Sequence, residues 1–547
     1  MLYFSTILIS VFITVSLIPV MMRLADRFQL VDVPNTRKVH SRPVPRIGGL
    51  AMAAGAFIPV ILWAVSDDFV KAYFIGAGTI VAFGLIDDIK GLGHKAKFLG
   101  QVFASVVTVF FGGVRIDSLG NLLPGAVHLP EWFALSLTVI AIVGVTNAIN
   151  LADGLDGLAG GISLLVFCCI GYFAYLVDSH VVLFLSLSLA GAVFGFLRYN
   201  THPASLFMGD TGSQFLGFSA VVLAIKITQE NVPLSPILPL IILGFPVLDT
   251  LNVMVERVRE GRPLFSADKN HFHHRLMRLG LSHAESVFAI YVIQAIMIVT
   301  AIFFKYYSDW VLLAFYAVFT AAIIGAFVVA DRTGFQFKRN PLIDYGIKGR
   351  LRKIRDDNWA FRISFALSKI LVPLLLLLSC FFPAHVSGYV SVVALCLGIV
   401  TLAVRMVAKN QIGFCLRVVL YMTVPLVLSL VWQERASWIG TRLFTMYHAL
   451  FGLSAFAILI TVKYSRERGG FRITTMDFLI IFIALVVPNL PDPSIQSYRV
   501  GLLAAEIIVL LFSFEVLLTE LRGKLDVFTT YTLLLLALLG IRSYAGF

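Results

Sequence analysis

The chain has 547 residues, 59% of them hydrophobic and 14% charged, with a formal net charge of +12 and a mean hydropathy of +0.90. A soluble globular domain is nearer half apolar and a quarter charged, so the composition excludes one and points to an all-α polytopic membrane protein. The cations lie between apolar runs long enough to span a bilayer, where the positive-inside rule puts them, and no nucleic-acid partner is expected.

The first apolar segment, Met1 to Met22, has no basic leader region and no small-residue cleavage site, and is expected to be a retained first span. A basic loop follows, with Arg23, Arg27, Arg37, Lys38, His40, Arg42 and Arg46 around three prolines and Gly48-Gly49. That density of cations suits an anionic ligand as well as an anchor. The third span ends in Gly84-Leu85-Ile86-Asp87-Asp88, where two adjacent acids favour a proton acceptor or a metal neighbour. Lys97 and Gln101 come next, one helical turn apart.

The fifth span runs into Asn147-Ala-Ile-Asn150-Leu-Ala-Asp153-Gly154-Leu-Asp156-Gly157-Leu-Ala159. Amides and carboxylates where a helix leaves hydrocarbon mark a functional site. Asn147, Asn150 and Asp153 share one helix face, and Gly154 and Gly157 permit turns. The seventh span leads through Asn200 and Phe207 to Met208-Gly209-Asp210-Thr211-Gly212-Ser213. An acid between glycines at a helix start is a cap or a ligand for a hard cation such as Mg²⁺. The ninth span carries Asp249 and Asn252, then a basic loop with His271-Phe272-His273-His274-Arg275. No Cys or acid stands at zinc-ligand spacing beside these histidines, so phosphate contacts fit them better.

Counted from Met1, the loops after spans one, three, five, seven and nine share one side, and their cations make it cytoplasmic. Ionisable groups at span ends, not at mid-membrane, suit an enzyme better than a transporter or flippase. Eleven spans are expected in residues 1–330, a basic cytoplasmic linker over 331–358, and seven more spans in 359–547, near 361–383, 387–404, 416–432, 443–462, 476–489, 499–518 and 527–541. In that second half His448, Glu506 and Glu515 are isolated and read as helix–helix hydrogen bonds. The cysteines (Cys168, Cys169, Cys380, Cys396, Cys415) sit in apolar surroundings and read as packing.

The motifs at Gly84–Asp88, Asn147–Ala159, Phe207–Ser213 and His271–Arg275 resemble, in order and in loop position, those of the polyprenyl-phosphate N-acetylhexosamine-1-phosphate transferases. The resemblance covers about Met1 to Val329. It implies attack of a lipid phosphate, undecaprenyl phosphate in bacteria, on the sugar-linked phosphorus of a UDP-N-acetylhexosamine, with release of UMP, in the inner (cytoplasmic) membrane with the site facing the cytoplasm. It implies Asp210 and Asn150 as contacts of Mg²⁺, with Mn²⁺ as the alternative ion, and Asp87 and Asp88 as acids that take the lipid phosphate's proton or assist the metal. It puts Asp153, Asp156, Asn200 and Phe207 in the nucleotide region. It turns His271, His273, His274 and Arg275 toward phosphates and sugar, and Lys97 belongs to the same binding set. A homodimer is a further expectation.

The fifth-loop histidines and the early Arg-Lys-Val-His (37–40) with Pro-Val-Pro-Arg-Ile-Gly-Gly (43–49) resemble the branch that moves GlcNAc-1-phosphate to start O-antigen, enterobacterial common antigen or wall teichoic acid. The phospho-MurNAc-pentapeptide translocase of peptidoglycan synthesis is the alternative. The typical enzyme lacks a counterpart of residues 332–547, which leaves open a bifunctional chain with a transporter or assembly module.

Overall fold

The computed structural model describes residues 2–28, 30–32, 43–63, 67–124, 128–229, 233–263, 270–337, 359–433, 439–465, 500–521 and 525–542. The chain divides into two compact units, Met1–Lys338 and Arg339–Phe547. Twelve helices among the described residues are long and apolar enough to cross a bilayer, and the protein is a multi-pass, all-α membrane protein.

In the first unit the segments expected as spans one to eight are the helices α1 (Leu2–Phe28), α2 (Gly48–Trp63), α3 (Asp68–Lys90), α4 (His94–Phe110), α5 (Glu131–Ala152), α6 (Leu158–Leu176), α7 (His180–Asn200) and α8 (Gly209–Gln229). The first basic loop, read as irregular, contains a short antiparallel ribbon, β1 (Val31–Asp32) with β2 (Val44–Pro45). Its stretch 33–42, with Arg37, Lys38, His40 and Arg42, lies outside the described residues.

The ninth span is not one helix. It is split into α9 (Leu238–Ile242) and α10 (Gly244–Arg259). Pro246 has no N–H to donate to the carbonyl of Ile242. Gln294, fully buried, fills the gap: its Nε2 donates to Ile242 O at 2.8 Å and its Oε1 accepts from Phe245 N at 3.3 Å. The backbone groups freed at the break are thus satisfied by a buried side chain. Gln294 belongs to α12 (His283–Phe304), which follows the short α11 (Phe272–Arg278) and precedes α13 (Asp309–Thr333).

The second unit shows α14 (Trp359–Phe381), α15 (Gly388–Val407), α16 (Ile412–Gln433), α17 (Thr441–Ser465), α18 (Val500–Glu520) and α19 (Asp526–Arg542). They pack around a core that includes Leu375, Leu416, Leu428, Phe514 and Leu535. The span expected at 476–489 and the linker stretch 338–358 lie outside the described residues.

The axis of the first unit is α8, whose apolar window is 94% buried. It packs against α2, α3, α5 and α6. Small residues permit this: a Cβ on Gly217 would stand 2.8 Å from the Cα of Thr146 on α5, and one on Gly84 would stand 2.5 Å from the Cα of Thr211. Close helix approach through glycine is the usual solution in membranes, where apolar side chains gain little by leaving lipid. The N-terminus of α8, and Asp210 with it, is therefore held at the centre of the bundle end.

Because backbone cannot retreat as a side-chain tip can, Gly217→Val should destabilise the first unit by about 1–3 kcal/mol, the usual cost of overpacking. Gly325→Val, with nothing within 4 Å of its Cβ, serves as the control and should be neutral. Thermal unfolding in detergent of the two variants measures the difference, and equal melting temperatures would refute this account of the packing.

Candidate active site

Asp87 and Asp88 occupy the last turn of α3, which ends at Gly91 with φ +67°. Neighbouring residues on a helix project about 100° apart, and the two carboxylates find different partners. Asp87 accepts from Leu92 N at 2.6 Å and pairs with Lys97 Nζ at 2.5 Å. Asp88 reaches the start of α8: its Oδ1 accepts from Asp210 N at 2.9 Å, and its Oδ2 accepts from Thr211 N at 3.0 Å and Thr211 Oγ1 at 2.6 Å. A carboxylate of one helix thus caps another, meeting N–H groups that have no intrahelical partner. Gly209, at φ +68°, is required here, since a Cβ would stand 2.4 Å from Asp88 Oδ2.

Asp210 pairs with the same Lys97 Nζ at 2.5 Å and accepts from Asn150 Nδ2 at 3.3 Å, while Asn150 Nδ2 also reaches Ser213 Oγ at 2.7 Å. One oxygen each from Asp87, Asp88 and Asp210 lie within 4.8 Å of one another. Three hard oxygen donors at that spacing, partly neutralised by one ammonium, fit a small divalent cation. One turn below, Gln101 donates to Gln214 Oε1 at 2.9 Å and accepts from Asn147 Nδ2 at 2.7 Å. These amides sit beneath Lys97, Asp210 and Asn150 on α4, α8 and α5, and tie the three helix ends together.

Between α5 and α6 the chain turns through Asp153 and Gly157, the latter at φ +80°. Gly154 lies in this turn as expected, but not for a special backbone conformation. Its φ is not in the left-handed region; instead a Cβ there would stand 2.4 Å from His273 Nε2, so the imidazole lies directly over it. Asn200 is buried with both ends of its amide used, accepting from Gly157 N at 2.9 Å and donating to Leu206 O at 2.9 Å. Asp156 accepts from Ala204 N at 3.1 Å and lies 2.7 Å from His202 Nδ1, while its own N–H donates to His283 Nε2 at 3.1 Å.

The short helix α11 separates its motif residues. His273 and His274 face the cavity, as does His283 at the start of α12. His271 points away and pairs with Asp249 at 3.0 Å, and Asp249 also accepts from Phe272 N at 2.9 Å, capping α11. Arg275 is ion-paired with Glu256, lies over the Phe327 ring, and lines a separate hollow with Arg259 and Asp331.

The cavity has a volume of about 320 Å³. Asp88, Asn150, Asp153, Asp156, Asn200, Phe207, Asp210, His273 and His274 line it, together with Arg46 from the basic first loop and with Asp32 and His283, which the sequence does not mark out. Asp87 and Lys97 adjoin it through Asp210. His271 and Arg275 are not part of its wall. His283 could have been found from Ser282-His-Ala-Glu285, a capping box that starts a helix just after the histidine motif.

Burial pushes Asp153 up to about 7, with the charges of Asp210, Asp156 and Asp88 adding to the effect. Burial opposes ionisation of Asp156 too, but the hydrogen bonds from His202 and Ala204 outweigh it and hold Asp156 below its usual value. His273 is pushed down to about 3 by burial and by neighbouring His274, His271 and His283, so it is a neutral imidazole at physiological pH.

Acids, amides and imidazoles thus converge from the ends of α3, α5 and α7 and the starts of α8 and α11. Residues 70–228 match the family model described as glycosyl transferase family 4. The chain is 39% identical to a probable undecaprenyl-phosphate N-acetylglucosaminyl 1-phosphate transferase of Bacillus subtilis, over 60% of this chain and 91% of that protein. The chain belongs to this family of membrane transferases. It is also 37% identical to the decaprenyl-phosphate N-acetylglucosaminephosphotransferase of Mycobacterium tuberculosis, over 56% of this chain and 82% of that one. With the undecaprenyl-phosphate alpha-N-acetylglucosaminyl 1-phosphate transferase of Escherichia coli K12 it shares 29% identity over 57% and 88%. The family model ends before the histidine motif, which rests on its place in the cavity wall.

An acid whose value is raised to about 7 keeps its proton in the folded protein at pH values where the unfolded chain has lost it. Its contribution to stability is full below the unfolded value of about 4 and is lost as pH rises through the folded value. In chelator, Asp153→Asn should therefore melt higher than the wild type at pH 8, by a margin that shrinks toward pH 5. A margin independent of pH would refute the raised value.

Proposed function

We propose that the chain transfers N-acetylglucosamine-1-phosphate from UDP-N-acetylglucosamine to undecaprenyl phosphate, releasing UMP, on the cytoplasmic side of the cytoplasmic membrane. The observation that carries this reading is the cluster of Asp87, Asp88, Asp210 and Lys97 at one end of the helical bundle, in a chain whose relatives carry such transferase names. Phosphoryl transfer asks for positioning and charge stabilisation more than for covalent work by the protein.

An oxygen of the lipid phosphate attacks the sugar-linked phosphorus. The new P–O bond forms as the bond to the bridging oxygen breaks, and UMP leaves with that electron pair. Asp88 takes three donors of α8, whereas Asp87 meets one backbone N–H and the Lys97 ammonium, which a phosphate can draw to itself, and Asp87 is the acid offered to the acceptor. Asp87 takes the proton that the acceptor phosphate gives up, and Lys97 beside it meets the phosphate charge. Mg²⁺, with Mn²⁺ second, would be held by Asp210 with the Asn150 amide oxygen, and would offset charge on the diphosphate. Neutral His273 supplies hydrogen bonds without adding charge, and His274 lines the same wall. Asp153, Asp156 and Phe207 form the wall against which the nucleotide rests.

Leu251, Val255 and Val258 leave an exposed apolar stripe along α10, the helix whose Asp249 caps α11. A lipid acceptor fits this: its tail stays against such a stripe while its phosphate reaches the polar cluster at the bundle end.

The test is an in vitro assay of the full-length protein with undecaprenyl phosphate and a panel of UDP-sugars, reading UMP. UMP release should require divalent metal, stop in EDTA and favour UDP-N-acetylglucosamine. Asp210→Asn and Asp87→Asn should each lower turnover by about 10²–10⁴, the range for loss of an acid–base or charge-stabilising group. Full activity in either variant, or product only from UDP-MurNAc-pentapeptide, would overturn the reading.

A further inference from the structure

We propose that Arg46 is the diphosphate-binding cation of this cavity and that Asp32 is its positioning residue, an inference that rests on the transferase function above. Five aspartates line the cavity, Asp32, Asp88, Asp153, Asp156 and Asp210, and Arg46 is the one lysine or arginine among the described lining residues. A nucleoside diphosphate carries negative charge into that wall. The metal-binding corner at Asp210 meets one side of it, and a fixed cation is needed on the other.

The backbone around Arg46 is pinned as a site residue's should be. Arg46 N donates to Leu30 O at 3.1 Å, and the ribbon pairs Val31 with Pro45 and Asp32 with Val44. The same segment continues onto the loop before α8: Phe207 N donates to Pro45 O at 2.8 Å, Gly48 N to Phe207 O at 2.9 Å, and Gly49 N to Met208 O at 2.9 Å. Arg46 is thus fixed relative to Phe207 and to the Gly209-Asp210 start of α8. Gly48 and Gly49 are needed for this approach, since a Cβ on Gly49 would stand 2.3 Å from Gly212 N.

The side chain is held but not consumed. Its Nη2 lies 2.8 Å from Oδ1 of Asp32, whose side chain is 8% exposed, while the Arg46 side chain is 41% exposed. A guanidinium has five N–H donors in a planar fork. The salt bridge engages one edge and aligns the plane, which leaves donors for two phosphate oxygens. Lysine at this position would keep the charge and lose the fork.

The experiment measures binding of UDP, UMP and uridine to the full-length protein in detergent with Mg²⁺, by calorimetry and without the lipid acceptor. Arg46→Ala should weaken UDP binding by about 10–100-fold, the range for a charge-assisted hydrogen-bonding group, and leave uridine binding unchanged. Arg46→Lys should recover part of the loss. Asp32→Asn should fall between wild type and Arg46→Ala and raise KM for the UDP-sugar more than it lowers kcat. Parallel loss of UDP and uridine binding would show that Arg46 only holds the loop, and would overturn the proposal. Wild-type UDP affinity in Arg46→Ala, with the wild-type enzyme still releasing UMP, would overturn this subsite alone. Failure of the wild type to bind UDP at all would overturn the donor reading and the subsite with it.

Discussion

The contact on which the rest of the site depends is the carboxylate of Asp88 on the first backbone N–H groups of α8. Two helices of the bundle meet there end to end: α3 finishes with an acid, and α8 begins with unpaired donors. That junction explains three sequence features at once. Gly84 lets α3 approach Thr211, Gly209 removes the Cβ that would strike Asp88, and Thr211 adds a hydroxyl to the same oxygen. It also fixes Asp210, the residue whose N–H Asp88 receives, and so fixes the acid that shares Lys97 with Asp87. The second trans cap, Asp249 on α11, does the same for the histidine motif, whose His273 then settles over Gly154. A polar site at the end of a membrane bundle needs helices whose ends are held rigidly, and capping by a neighbour's carboxylate ties one helix end to the next.

Below the acids, the amides of Gln101, Asn147 and Gln214 continue the same logic. Each lies about one turn deeper than a cluster member on its own helix: Lys97 and Gln101, Asn150 and Asn147, Asp210 and Gln214. A buried amide needs its donors and acceptors matched. A triangle of amides satisfies that requirement only at one relative rotation of α4, α5 and α8. The network therefore sets the rotation of the helices, and the rotation sets the spacing of the charged groups above.

Much of the fold and the site was legible because polar residues in an apolar chain stand out. Asp87, Asp88, Asn150, Asp153, Asp156 and Asp210 interrupt long hydrophobic runs, and the alternation of loops brings them to one side. What stayed hidden depends on partners distant in sequence. The break between α9 and α10 reads as continuous apolar chain, and its compensation comes from Gln294, which belongs to α12. The division of α11 into faces was invisible for the same reason. His271 and Arg275 carry the right chemistry, but Asp249 and Glu256 on α10 claim them. Gly154 is a turn residue as its sequence suggests, but its need for glycine is one of packing, and nothing in the local sequence announces an imidazole from 119 positions away (273 against 154). Arg46 stood among several cations in its loop, within the Pro-Arg-Ile-Gly-Gly run, and it is the ribbon and the pairing with Asp32 that bring it to the cavity wall.

The second unit supplies the contrast that makes the first unit's charge informative. It too buries ionisable groups, but there the cations and anions match. Glu515 accepts from Arg417 Nε at 3.2 Å and from Tyr421 at 3.3 Å, and Glu506 accepts from Trp432 Nε1 at 2.9 Å and pairs with His448. Each acid there has a basic partner and a hydrogen-bonding aromatic on adjacent helices, an arrangement that joins helices in hydrocarbon without asking for anything else. The cavity of the first unit differs in its arithmetic: Asp32, Asp88, Asp153, Asp156 and Asp210 face Arg46 as the one lysine or arginine among the described lining residues. Like charges gathered at such density raise one another's proton affinity and oppose the folded state. Repulsion of that kind stabilises nothing in the protein by itself. It is relieved by cations, so the balance of charge in this cavity favours cations over further anions.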